Sequence, residues 1–419
     1  MRIRNSIFWL MACGVALFVA AIGLNISASA QGGISPKTVT PLASPTNNGG
    51  NATWTIESNT FQSNYPAGFD FTIQAESSGG KIVEATVSWS HAPGFVKHAR
   101  GKIDDSGITA SWKPGSDAVP QWVGVEYWWD LKDEAGNSFQ TPHQNDNYAD
   151  NTRNWSHAES EDVVVYWQEG VPDDIGQKVI EAVRKERPVY VRNWGGLINY
   201  RPHVILYANW DPFKEWNPGI DTVAGGVIVQ GQTSANWGGT AQVFLNDFGT
   251  EYTAYGVCLH EIDHLYQKVL GHYSLTADWF IEGDATYFEV VQDYGYLDRV
   301  RELAQSGQLP TIQGEGPAVR GANARLGYDI GYAFFKWLEV TYGPDAHLKL
   351  WRLLGQGKAR VDALRQITGK SFTDMETDFR TWLGASNPVP PTLVPTPAFQ
   401  FPPTPTYDNS FLPTPTAGG

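Results

Sequence analysis

Between residues 52 and 155, apolar and polar side chains alternate with a period of two. Phe69, Phe71, Ile73 and Ala75 fall on one face of such a run. Val83, Ala85, Val87 and Trp89 alternate with Ile82, Glu84, Thr86 and Ser88, and Val123, Val125, Tyr127 and Trp129 repeat the pattern. Successive side chains of a strand point to opposite faces, so each run reads as a strand with one buried face. Gly-containing turns such as Asp133-Glu134-Ala135-Gly136 separate the runs. Several short strands at this spacing predict an antiparallel β-sandwich, of the immunoglobulin or fibronectin-III-like kind, over 52–160. Its aromatic residues read as core rather than as a ligand platform.

From about residue 161 the period lengthens. Strands are expected at 163–166, 202–208, 225–230 and 241–245. A helix is expected over 172–185, with Ile175, Val179, Ile180 and Val183 on one face and Pro172 in its first turn. The strongest helix covers 250–270, where Tyr255, Cys258, Leu259, Ile262, Leu265, Tyr266 and Val269 form an apolar stripe and Gly271 is the candidate C-cap. Further helices are expected near 279–293, 327–341, 345–355, 359–367 and 372–383. A sheet followed by helices predicts an α+β domain over 161–385. No internal repeat is visible.

The chain has 419 residues, which suits two domains plus ends. Arg2 and Arg4 precede an apolar run over 7–24, and Ala28-Ser29-Ala30 follows it. Residues 1–30 therefore read as a signal peptide cleaved on export, in preference to an uncleaved anchor, and no membrane span is expected after cleavage. Residues 31–51 read as a flexible linker and 386–419, rich in Pro-Thr steps, as a disordered tail. The only cysteines are Cys13 and Cys258, so the mature chain forms no internal disulfide, and Cys258 reads as a small core residue. A formal charge of −14 and the lack of a basic patch argue against a nucleic-acid partner.

Chemistry concentrates in His260-Glu261-Ile262-Asp263-His264, inside the strongest predicted helix. Side chains four apart share a helix face, so both imidazoles can meet one metal ion, while Glu261 projects differently and can reach a water there. Stable zinc binding usually needs a third protein ligand with one coordination position left open. Glu282, in Trp279-Phe280-Ile281-Glu282-Gly283, is the candidate; the competing reading is a carboxylate at a helix start. Asp263 reads as solvent-facing. His91, His98, His143, His157, His203, His272 and His347 lack ligand spacing and read as ordinary polar residues.

These blocks resemble the gluzincin metallopeptidases, in particular the M1 aminopeptidase-like and broader peptidase MA-like families, which pair a His-Glu-x-x-His helix with a Trp-x-x-Glu-Gly helix. The resemblance spans about 163–383. It implies a zincin-like fold binding one zinc ion, with His260, His264 and Glu282 as ligands and Glu261 as general base. It implies that Glu289, in Tyr287-Phe288-Glu289, steadies a ligand histidine, against the alternative of a surface carboxylate. It further implies that Tyr328, in Tyr328-Asp329-Ile330-Gly331, binds the oxyanion, with Tyr332 as the competing candidate. The Gly-x-Met-Glu-Asn strand that reads a substrate amino terminus in M1 relatives has no match; Gly238-Gly239-Thr240-Ala241-Gln242 sits in a comparable place without the acid.

The resulting expectation is a secreted or envelope-located zinc metallopeptidase acting on protein or peptide, endopeptidase in preference to aminopeptidase. An extended substrate would pair with an edge strand within 239–245. Two other readings stay open: a zinc hydrolase of a non-peptide bond, and an envelope-associated binding module whose zincin domain is structural or inactive.

Overall fold

Residues 52–391 are described by a computed structural model, apart from 93–94, 116–118, 217–222, 225–226, 229, 272–275, 291–294 and 322. The expected signal peptide, the linker, His272 and the tail beyond residue 391 lie outside the described residues. The first half forms strands β1 (Trp54–Ser63), β2 (Phe69–Ser77), β3 (Ile82–Ala92), β4 (Phe95–Arg100), β5 (Lys102–Asp104), β6 (Gly107–Trp112), β7 (Gly124–Asp133), β8 (Ser138–Gln140) and β9 (Gln144–Asn147). They make two antiparallel sheets, in the orders β1-β2-β6-β5 and β4-β3-β7-β8, with β9 also on β7. The period-two residues Phe69, Phe71 and Ile73 of one sheet and Val87, Trp89, Tyr127 and Trp129 of the other bury into a common core. Register pairs such as Val87↔Trp129 set apolar side chains directly opposite one another.

The next sheet has the order β10-β11-β12-β16-β15. Its strands are β10 (Trp155–Glu159), β11 (Val164–Gln168), β12 (His203–Tyr207), β15 (Gly231–Ser234) and β16 (Gly239–Val243); a two-stranded ribbon, β13 (Val223–Ala224) with β14 (Val227–Ile228), precedes β15. Alternation alone assigns Trp155 onward to the first domain; instead β10 pairs antiparallel with β11. Strands β11, β12 and β16 run parallel. Parallel neighbours need a crossover, and α1 (Ile175–Trp194) supplies it between β11 and β12. It buries Ile175, Val179, Ile180 and Val183 as its periodicity predicts, and it continues through Pro188, where a sequence rule would stop it.

Strand β16 is paired on both sides, by β12 and β15, so the substrate edge expected within 239–245 is not an edge. Among the described strands, the two margins of this sheet are β10 and β15, and β15 is the one beside β16. The turn joining β15 to β16 carries Trp237, which packs against the core of the first two sheets with its ring 5.5 Å from that of His91. A second seam is made by Trp122: its ring stacks on Tyr166 at 4.3 Å, and the Trp122 carbonyl accepts a bond from His203 Nδ1 at 2.6 Å.

Helices build the remainder. After α2 (Trp210–Trp216), the chain forms α3 (Gly249–Tyr252), a π-helical turn (Thr253–Cys258) and α4 (Leu259–Leu270) in one continuous run. Cys258 is fully buried in it, as expected. Gly271 ends α4 with extended backbone, φ −117°, rather than as a left-handed cap. Its lack of a side chain has a packing cause: a Cβ there would lie 2.3 Å from the Trp351 ring. Then follow α5 (Asp278–Tyr287), α6 (Tyr296–Gln305), α7 (Arg325–Tyr342), α8 (Ala346–Gly355), α9 (Arg360–Thr368) and α10 (Phe372–Leu383). Seven-residue α2 is too short for a periodic signal, whereas α6, absent from the expected helices, buries Tyr296, Val300 and Ala304 at helical spacing. Among the described residues, no helix is long and apolar enough to cross a membrane.

Helices α5 and α7 cross where neither has a side chain. A Cβ on Gly283 would sit 2.2 Å from Gly331 Cα, and one on Gly331 would sit 2.3 Å from Gly283 Cα. Backbone cannot yield as a flexible side chain does, so alanine here must push the helices apart. Better helix propensity returns at most about 1 kcal/mol, whereas overpacking costs about 1–3 kcal/mol or more. Gly283→Ala and Gly331→Ala are each predicted to lower the urea unfolding free energy by about 2 kcal/mol; a wild-type midpoint for either would contradict the crossing.

Candidate metal centre

Helix α4 presents His260 and His264 one turn apart, with ring centroids separated by 4.9 Å and ring planes at 86°. Helix α5 returns across α4 and brings in Glu282, whose Oε2 lies 3.1 Å from His260 Nε2 and 3.5 Å from His264 Nε2. Ligand atoms of the three residues all lie within 4.8 Å of one another. Atoms about 2.0–2.2 Å from a tetrahedral ion stand roughly 3.3–3.6 Å apart, close to the 3.1 and 3.5 Å between Glu282 and the two rings.

Hydrogen bonds behind the rings decide which nitrogen each histidine offers. His260 Nδ1 donates to Glu289 Oε1 at 3.0 Å, and Tyr296 donates to Glu289 Oε2 at 2.9 Å. Glu289 is therefore brought to a candidate ligand rather than to the surface. It gets there because α5 stops at Tyr287, short of the helix predicted to 293, which lets the chain turn Glu289 inward. Behind His264 stands Gln267, a residue the sequence reading passes over. Its Nε2 lies 3.0 Å from the carbonyl of Ile281, an obligate acceptor, so this end of the amide is the NH2 group. Oε1 therefore faces His264 Nδ1, at 2.8 Å, and the ring must donate to it. Nε2 of each ring, on the side of Glu282, is therefore the nitrogen left for a metal ion to take.

One expectation is corrected at this point. Asp263 does not face solvent. It is fully buried, accepting bonds from Trp194 Nε1 at 2.9 Å and from Gln267 Nε2 at 2.9 Å. His347, read as an ordinary polar residue, is buried on α8, with Nδ1 donating to the Asn193 carbonyl at 2.9 Å and Nε2 2.7 Å from Asp284 Oδ1. Asp284 also accepts from Gln267 at 3.1 Å. Gln267 lies three residues after His264 and four after Asp263, so helical spacing held a usable signal for it. His347 has no local signal, since its partners come from distant segments.

The electrostatics of the pocket favour a cation. Burial opposes charge on His260, yet Glu282 and Glu289 push its pKa up to about 10. Burial likewise opposes charge on Glu282, but His264 and His260 hold its carboxyl well below the usual carboxylate range. Glu261 behaves oppositely, its pKa raised chiefly by burial against the pull of His264 and His260. Its Oε2 lies 2.6 Å from Thr233 Oγ1. The ring of Tyr328 lies beside His260, with centroids 5.8 Å apart. Burial, then Glu282 and Glu261, raise the pKa of that phenol far above its usual range, so it stays a donor. Tyr332 instead packs against Tyr287 and Tyr296, away from the imidazole pair.

No protein-family model matches the chain, and neither does any curated protein. Among solved structures, yeast leukotriene A4 hydrolase in complex with bestatin aligns over 82% of this chain and 67% of its own, with TM-score 0.34 and 10% identity. Native leukotriene A4 hydrolase from Saccharomyces cerevisiae aligns over 81% of this chain and 66% of its own, with TM-score 0.33 and 12% identity. The chain thus spans about two thirds of the length of these structures. Likeness at this level carries no argument, and the functional reading rests on the residues of the centre.

Replacing Gln267 by Met removes the acceptor behind His264 at similar volume. The variant is predicted to bind zinc about 10–100-fold more weakly in chelator competition, with its circular dichroism preserved. Unchanged affinity would show that the amide does not steady the ring.

Proposed function

We infer that the chain is a zinc-dependent hydrolase of the gluzincin type, with a zincin-like catalytic domain, acting on peptide bonds within a chain. One observation carries the reading: two imidazole Nε2 atoms and a Glu282 oxygen gathered within 4.8 Å, with Glu261 beside the pair on the same helix. His260, His264 and Glu282 would hold the ion. When bound there, zinc supplies Lewis acidity, which acidifies water and polarises a carbonyl.

The chain's own residues do the rest. Glu261 takes a proton from the attacking water and passes it to the leaving amine, a task suited to a buried carboxylate of raised pKa. Tyr328 donates a hydrogen bond to the oxyanion that develops on the substrate carbonyl. Glu289 and Gln267 keep the two imidazoles in register. An extended peptide can add to the free margin of β15 by main-chain bonds. Gly231-Gln232-Thr233-Ser234 offers that peptide no carboxylate to hold an amino terminus, which favours cleavage within chains over removal of terminal residues. The same proposal takes the protein as exported, with residues 1–30 removed and the last residues serving as a spacer.

Purified full-length chain loaded with zinc is predicted to cleave members of a peptide library. Glu261→Gln should keep its zinc and lose about 10²–10⁴ of the rate. Tyr328→Phe should lose about 10²–10³ in kcat with little change in KM. Peptide hydrolysis at the wild-type rate in Glu261→Gln would sink the proposal.

A further inference from the structure

Glu261 must do more than be present: a general base works only when its carboxylate is held within reach of the proton it takes. Strand β15 meets that side chain with one face. Residues two apart on a strand share a face, and here they are Gly231 and Thr233, while Gln232 between them buries the other way. At Gly231 the strand leaves a gap. A Cβ there would lie 2.3 Å from Glu261 Oε1, 2.6 Å from Cγ and 2.7 Å from Cδ, and these are its three nearest atoms. At Thr233 the strand offers a hydroxyl, 2.6 Å from Glu261 Oε2 and 2.7 Å from the Glu261 carbonyl oxygen. That one hydroxyl oxygen stands within hydrogen-bond distance of both acceptors, and its single proton can be given to either.

We propose that the Gly231-x-Thr233 face of β15 is a cradle that positions the Glu261 carboxylate, with Thr233 as a positioning residue for the hydrolysis. This rests on the hydrolase reading for its kinetic consequence but not for its geometry. Three features keep the cradle stiff. The ladder to β16 pairs Gly231 with Gln242 and Thr233 with Thr240. The turn beyond is seated by Trp237 on the core of the first two sheets. Thr233 is β-branched, so its hydroxyl has few rotamers to choose from. None of these contacts includes His260, His264 or Glu282, so the cradle can be altered without touching the candidate ligands.

The test uses the full-length, zinc-loaded chain in four forms: wild type, Gly231→Ala, Thr233→Val and Thr233→Ser. Crystal structures locate the Glu261 carboxylate, metal analysis gives zinc per chain, and steady-state kinetics on a cleaved peptide separate kcat from KM. Gly231→Ala and Thr233→Val are expected to displace the carboxylate, retain zinc, leave KM close to wild type and lower kcat about 10–100-fold. Thr233→Ser, which keeps the hydroxyl, is expected to restore most of the rate and the wild-type position. The cradle is overturned by an undisplaced Glu261 in both disruptive variants, by zinc loss in Thr233→Val, or by Thr233→Ser falling as far as Thr233→Val. The crystallographic arm needs no turnover. A displaced carboxylate in a chain whose wild type cleaves nothing upholds the cradle and defeats the hydrolase reading instead.

Discussion

Two helices of this protein touch through their backbones. Gly283 of α5 and Gly331 of α7 face each other so closely that a methyl group on either would strike the Cα of the other. Glu282 directly precedes one of these glycines, and Tyr328 lies one turn before the other. A bulkier pair would hold the helices at the wider spacing usual for side-chain packing and draw the carboxylate and the phenol away from the imidazoles. The glycines that end the Trp-x-x-Glu-Gly and Tyr-x-x-Gly segments are thus two halves of one contact.

From that crossing the centre is built outward in shells of fixed hydrogen bonds. The two rings on α4 each turn Nδ1 toward a buried acceptor, Glu289 behind His260 and Gln267 behind His264. Gln267 is held in turn by Asp263, Ile281 and Asp284, and Asp284 by His347 from α8. Burying two acids side by side is costly, and desolvation together with Asp284 raises the pKa of Asp263 well above normal. What offsets that cost is a donor at every turn, so the network fixes one arrangement of the amide and, through it, the lone pair that His264 presents.

Much of this was legible wherever the physics is local. Period-two alternation identifies β2, β3 and β7, because each buries one face in the shared core. The His260–His264 spacing identifies paired ligands, because four residues make about one helical turn. Failures arise where the outcome depends on distant partners. An aspartate inside a helix ordinarily faces water, and nothing near Asp263 announces that Trp194 will cover it. Strand order is set by packing, so β16 reads as a plausible edge until β15 is seen beside it. Glu289 and Tyr328 come from the family resemblance, since their partners meet them only in three dimensions.

The most direct test of the account is anomalous scattering at the zinc edge from crystals of the full-length chain grown with zinc. The account predicts a single peak about 2.0–2.2 Å from His260 Nε2, His264 Nε2 and a Glu282 oxygen. A site without a peak, or imidazoles whose Nε2 atoms diverge with zinc held elsewhere, would contradict it.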